Sequence, residues 1–122
     1  MKDIEGLIIR LEKNGFPMEN YLKKALKNIK IEDFITSGHE DFFRDNPVEF
    51  MKTSKGIIKN ISAPHMLAIL LHHLEIKKGQ KILLVGAKGG YLAAILDQVL
   101  GEEGIITIIE PHDEILEHTR RT

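Results

Sequence analysis

The stretch Lys81-Ile-Leu-Leu-Val85, followed at once by Gly86-Ala-Lys-Gly-Gly90-Tyr91, constrains this chain more than any other. A short run of branched apolar residues, closed by glycines and reopened by a helix-like segment, predicts a buried parallel strand turning sharply into a helix. Such turns are where α/β folds bring backbone amides close to a nucleotide: glycine permits the approach, and the helix N-terminus faces it. Downstream, Tyr91 to Leu100 has helical spacing and ends at Gly101, and Ile105-Ile-Thr-Ile-Ile109 reads as a second strand stopped by Glu110 and Pro111. Asp113 to Arg121 reads as a last helix. Strand, helix, strand in this order is a right-handed crossover, so the two strands should be parallel neighbours.

Upstream, Ile4, Leu7, Ile8 and Leu11 recur at helical spacing within Lys2 to Asn14, with Gly15 where a helix would stop. Pro17 should open a second helix, whose stripe is Tyr21, Leu22, Ala25, Leu26 and Ile29 and whose Lys23, Lys24 and Lys27 face solvent. Glu32 to Ile35 suggests a helical turn. Thr36 to Asn60 shows no sustained period and reads as a long connector, lying over the ligand side or the sheet, where Phe34, Phe42, Phe43 and Phe50 find packing partners. Ser62 should cap the next helix, Pro64 fits its first turn, and Met66, Leu67, Ile69, Leu70 and Leu74 give it a broad apolar surface.

The resulting class is α/β: N-terminal helices and loop over residues 1–60, then the start of a Rossmann-like core over 61–122, in one domain. With 122 residues, 43% of them hydrophobic, a second domain does not fit. A net charge of −1, with Lys and Arg scattered among Glu and Asp, argues against the basic face that nucleic acid requires, and no nucleic-acid partner is expected. No apolar run approaches the about 18 residues of a membrane span, and the charged opening Met1-Lys-Asp-Ile-Glu5 does not suit a signal peptide. Without cysteine there is no disulfide frame, which fits a cytoplasmic location. The six histidines lack ligand spacing, since His72 and His73 are adjacent on a helix, so no metal site is expected.

Glu110 follows Gly86 by 24 positions and ends the second strand, where a carboxylate can accept both hydroxyls of an adenosine ribose; it can equally serve as a first-turn acid of the next helix. A dinucleotide fingerprint would put glycines at 86, 88 and 91, but Lys88 and Tyr91 stand at two of them. The methyl-donor pattern G-x-G-x-G fits better through Gly86 and Gly90, with Lys88 at its middle position.

Several segments together resemble the protein-L-isoaspartate O-methyltransferases, which transfer a methyl group from S-adenosylmethionine to isomerised aspartyl carboxylates in protein repair. Asp41-Phe-Phe-Arg-Asp45-Asn-Pro47 is similar to the family's aromatic-x-Asp-x-Pro segment, and Asn60-Ile-Ser62-Ala-Pro64-His-Met66 to its Thr-Ile-Ser-x-Pro substrate motif. Lys81 to Ala94 resembles the first cofactor motif, and Ile108-Ile-Glu110 the ribose-binding strand end. The resemblance implies that Gly86, Ala87, Lys88, Gly89, Gly90, Tyr91 and Glu110 line the donor, and that Ser62 and Asn60 flank the carboxyl of a protein or peptide substrate. Three positions depart from the family: Leu84 replaces a glutamate, Lys88 a glycine, and Asn60 the threonine.

The family's sheet has about seven strands. Only its first two are expected here, so the parallel sheet is incomplete and the far edge of the first strand needs cover from a second copy, another polypeptide, or the 36–60 connector. Two functions fit: a carboxyl methyltransferase completed by a partner or by further chain, or a non-catalytic relative kept as an interaction or regulatory subunit.

Overall fold

The structure, a computed structural model, describes residues 3–121. Helix α1 spans Ile4–Lys13, and Asp3 caps it by accepting the Gly6 amide at 2.9 Å. The predicted start at Lys2 lies outside the described residues. Leu7, Ile8 and Leu11 turn inward, and each is at most 3% exposed. Helix α2, Asn20–Asn28, begins three residues beyond Pro17 and buries Leu22, Ala25 and Leu26. Two lysines of its predicted solvent face have partners on α1: Lys23 meets Glu12 at 2.7 Å and Lys27 meets Glu5 at 3.4 Å. Both pairs are partly exposed, so each adds at most about 1 kcal/mol.

A 3₁₀ turn at Ile31–Asp33 follows, and then the main correction to the sequence reading. The 36–60 segment is not an irregular connector. It holds helix α3, His39–Phe43, and an antiparallel hairpin of β1, Val48–Lys52, and β2, Ile58–Ile61. The register slips between Glu49 and Met51, and this bulge erases the alternation that would have marked β1. The hairpin does not join the parallel sheet. It nevertheless reaches the glycine turn, because a Cβ on Gly89 would stand 2.9 Å from the Phe50 ring.

Helix α4, Pro64–Leu74, starts with proline in its first turn. Its N-cap is Ala63, which makes no side-chain hydrogen bond, so Ser62 is not the cap that the sequence suggested. Strands β3, Lys81–Val85, and β4, Ile105–Ile109, pair in parallel from Lys81 opposite Ile105 to Val85 opposite Ile109. Helices α5, Tyr91–Leu100, and α6, Asp113–Arg121, complete the order. Among the described residues no helix is long and apolar enough to cross a membrane.

The expectation of a buried strand holds for one face only. Ile82, Leu84, Ile106 and Ile108 are half-buried, whereas Leu83, Val85, Ile105 and Ile109 on the opposite face are 51 to 72% exposed. Paired residues of a parallel sheet project to the same side, so these four form one apolar surface that no described element covers.

The core converges on Tyr91, which is 0% exposed and takes edge-to-face contacts from Phe34 and Phe42, with ring centroids 5.4 and 5.5 Å away. Its hydroxyl is buried without a hydrogen-bond partner among the described residues. Burial pushes the phenol well above its usual range, and the charge of Glu32 adds to the rise. In the unfolded chain the phenol ionises near pH 10, whereas in the fold it stays protonated, so its contribution is intact below about pH 10 and is lost above it. Thermal melts should show Tyr91→Phe at least as stable as wild type at pH 8, by up to about 1 kcal/mol. Between pH 10 and 11 the wild type should lose stability faster than the variant; parallel pH profiles would contradict this.

Candidate functional site

The two parallel strands deliver their C-terminal ends side by side, and the Gly86 amide extends the pairing by donating to the Ile109 carbonyl at 2.8 Å. The chain then turns through residues with positive φ, 97° at Gly86, 45° at Lys88, 77° at Gly89 and 92° at Gly90, before α5 begins. Only a backbone without Cβ adopts these angles cheaply, so Lys88 sits where glycine would be less strained. A Cβ on Gly86 would meet nothing within 4 Å, leaving that side of the turn open.

Glu110 locks the turn from the neighbouring strand. Its Oε1 accepts the Ala87 amide at 2.8 Å and its Oε2 accepts the His112 amide at 2.9 Å. Each carboxylate oxygen has two lone pairs, so the half-buried group keeps capacity for further donors such as ribose hydroxyls. The Glu114 side chain accepts the Ser54 amide at 2.8 Å and thereby ties the hairpin turn to α6.

Beside the turn lies a cleft of about 250 Å³ with Ser62, Met66, Leu70, Leu84, Gly86 and Lys88 among its walls. The structure thus brings Ser62, Gly86 and Lys88 together. Ala87, Gly89 and Gly90 are buried within the turn itself, and the Tyr91 ring belongs to the core, so only its backbone is available at the turn. Asn60 is exposed on β2 opposite Glu49 and is not part of the cleft wall. Sequence reasoning missed Phe50 as the support of Gly89, because nothing local links a bulged strand to a turn 39 residues on. Of the broad apolar surface read for α4, Met66 and Leu70, 50% and 44% exposed, line this cleft, a role the sequence did not assign them.

These features define the first half of a Rossmann-like methyltransferase fold: a parallel pair, a glycine turn, and an acid at the tip of the second strand. A family model described as protein-L-isoaspartate(D-aspartate) O-methyltransferase (PCMT) matches residues 2–122, and the chain belongs to this family. Among curated relatives, the protein-L-isoaspartate O-methyltransferase of Methanococcus maripaludis is 32% identical over 120 residues, 98% of this chain and 52% of that protein. The one from Methanopyrus kandleri is 30% identical over 95% of this chain and 50% of its own length. A solved protein-L-isoaspartate O-methyltransferase superposes with a TM-score of 0.84 at 26% identity, covering 98% of this chain and 37% of the other. A Plasmodium falciparum structure, solved in complex with S-adenosyl-L-homocysteine, shares the fold with a TM-score of 0.80 at 19% identity and is covered to 55%. The chain therefore spans about half the length of the curated relatives it matches. The family is S-adenosylmethionine-dependent.

The two neighbours Lys88 and Gly89 should respond oppositely to substitution. Lys88→Gly trades relief of a strained backbone against a more flexible unfolded chain and should change stability by less than about 1 kcal/mol. Gly89→Ala combines positive φ with a clash on Phe50 and should cost on the order of 2 kcal/mol or more. Urea denaturation of both variants checks this, and equal costs would contradict it.

Proposed function

We propose that this chain is the donor-binding half of a protein carboxyl methyltransferase of the isoaspartyl-repair type, working on a protein or peptide substrate. The observation that carries the reading is the grip of Glu110 on the Ala87 amide, which holds the glycine turn in shape at the tip of a parallel strand pair. In this reading the open side of Gly86 and the backbone of Ala87, Lys88, Gly89, Gly90 and Tyr91 cradle the donor, and Glu110 accepts its ribose hydroxyls with the lone pairs left over. S-adenosylmethionine, when bound, supplies an electrophilic sulfonium methyl.

Little is asked of the side chains. A substrate carboxylate is already ionised at neutral pH, so no general base is needed for its oxygen to form the new bond while the sulfur–methyl bond breaks. Ser62, on the cleft wall, offers a hydroxyl to orient that carboxylate, and Asn60 lies two residues before it on the hairpin. Alignment and exclusion of water supply the rate. Lys88 lines the same cleft, and its positive charge favours an anionic group there.

The exposed face of Leu83, Val85, Ile105 and Ile109 supports a second element of the proposal: residues 1–122 act as one domain whose sheet is completed by another copy, a partner polypeptide or the rest of a longer chain. The hairpin is a separate sheet and forms no ladder with β3. A chain without cysteine suits the cytoplasm, where the reading places it.

Calorimetric titration with S-adenosyl-L-homocysteine tests the donor site. Micromolar binding by the wild type, weakened about tenfold or more in Glu110→Ala, is expected; no binding at millimolar ligand would overturn the reading. Multi-angle light scattering tests the second element: the purified chain should self-associate increasingly with concentration, and a strict monomer would remove self-association.

A further inference from the structure

Asp45 lies in the turn between α3 and β1, yet its carboxylate works 20 residues further along the chain. Oδ1 accepts the His65 amide at 2.8 Å, and Oδ2 stands 2.9 Å from Nδ1 of the same residue. Both side chains are largely shielded, 24% and 32% exposed, and the Phe16 ring lies 5.4 Å from the imidazole. Two further facts make the contact more than incidental. Ala63 gives α4 no side-chain cap, so a first-turn amide that needs an acceptor is served from a distant segment. Asp45 also holds φ at +67°, a conformation that L-residues avoid unless the surroundings require it.

A carboxylate can only accept, so the facing ring nitrogen must carry a proton and His65 is held with Nδ1 protonated. Ser62 and Met66 flank His65 within four residues of chain, and both wall the cleft beside Gly86. We infer that Asp45 is a positioning residue: through its two-point grip on His65 it fixes the Ser62 end of α4 against the glycine turn. The inference rests on the reading of the cleft as the ligand site only for its functional consequence. Asp45 itself does not line the cleft.

Two variants separate side chain from backbone. Asp45→Gly adopts the positive φ freely and removes the carboxylate. Asp45→Asn keeps an oxygen for the His65 amide but points an NH₂ group at the ring, which must then accept through Nδ1 and protonate Nε2 instead. Proton–nitrogen correlation spectra of the imidazole at pH 8 should show the Nδ1–H form in wild type and the Nε2–H form in Asp45→Asn. Amide exchange at Ser62 and His65 should quicken about tenfold or more in Asp45→Gly and less in Asp45→Asn. Affinity for S-adenosyl-L-homocysteine should fall about fivefold in Asp45→Gly. The inference is overturned by an unchanged tautomer in Asp45→Asn, by unchanged exchange at Ser62, or by wild-type affinity in a variant whose Ser62 exchange has quickened. If the wild type itself does not bind, the functional reading fails alone and the Ser62 exchange rates decide the positioning role. If Asp45→Gly does not fold, the asparagine variant decides it by tautomer and exchange.

Discussion

The hydrogen bond from the Ala87 amide to Glu110 is the interaction on which the rest of this structure depends. It joins the two features that parallel pairing of β3 and β4 places side by side, a glycine turn and a strand-end acid. Without it the turn would keep only the Gly86 amide's bond to the Ile109 carbonyl as its tie to the neighbouring strand, since a run of positive-φ residues has no regular ladder to hold it. The same carboxylate holds the His112 amide, so one side chain fixes both the loop after β3 and the entry to α6.

The N-terminal half of the chain serves as the floor of this turn. Phe50 closes on Gly89 from the hairpin, and Phe34 and Phe42 close on Tyr91 at the first residue of α5. The glycine at 89 is thus demanded twice, by backbone angle and by the ring above it. Lys88 is demanded by neither, and its own positive φ of 45° would suit a glycine better. The opposite face of the sheet has no such support: Val85 is 72% exposed at the very end of β3. One side of the parallel pair is half-buried against the rest of the chain while the other ends in open apolar surface.

What could be read from the sequence was what is local. Lys81 to Val85, the glycine cluster, the α5 stripe and Ile105 to Glu110 each declare themselves within a few residues, because strand runs, helical spacing and glycine punctuation are short-range signals. The hairpin did not, since β1 and β2 are short, carry Glu49, Lys52, Lys59 and Asn60, and are broken by a bulge. Ser62 was read as a cap because capping is usually local, whereas here the acceptor is Asp45, 20 residues earlier. Burial of β3 was read from its composition alone. Composition states what a strand can bury, but only the neighbouring elements decide whether both of its faces are covered.

The central claim is that the turn is held in its ligand-ready shape by Glu110 before any ligand arrives. Hydrogen exchange at the Ala87 amide in the ligand-free protein measures this directly, because that proton is the one donated to the carboxylate. The account predicts strong protection in the wild type and at least about tenfold faster exchange in Glu110→Ala, with the amides of β3 itself little changed. An Ala87 amide that exchanges in the wild type as fast as in an unfolded peptide would contradict it.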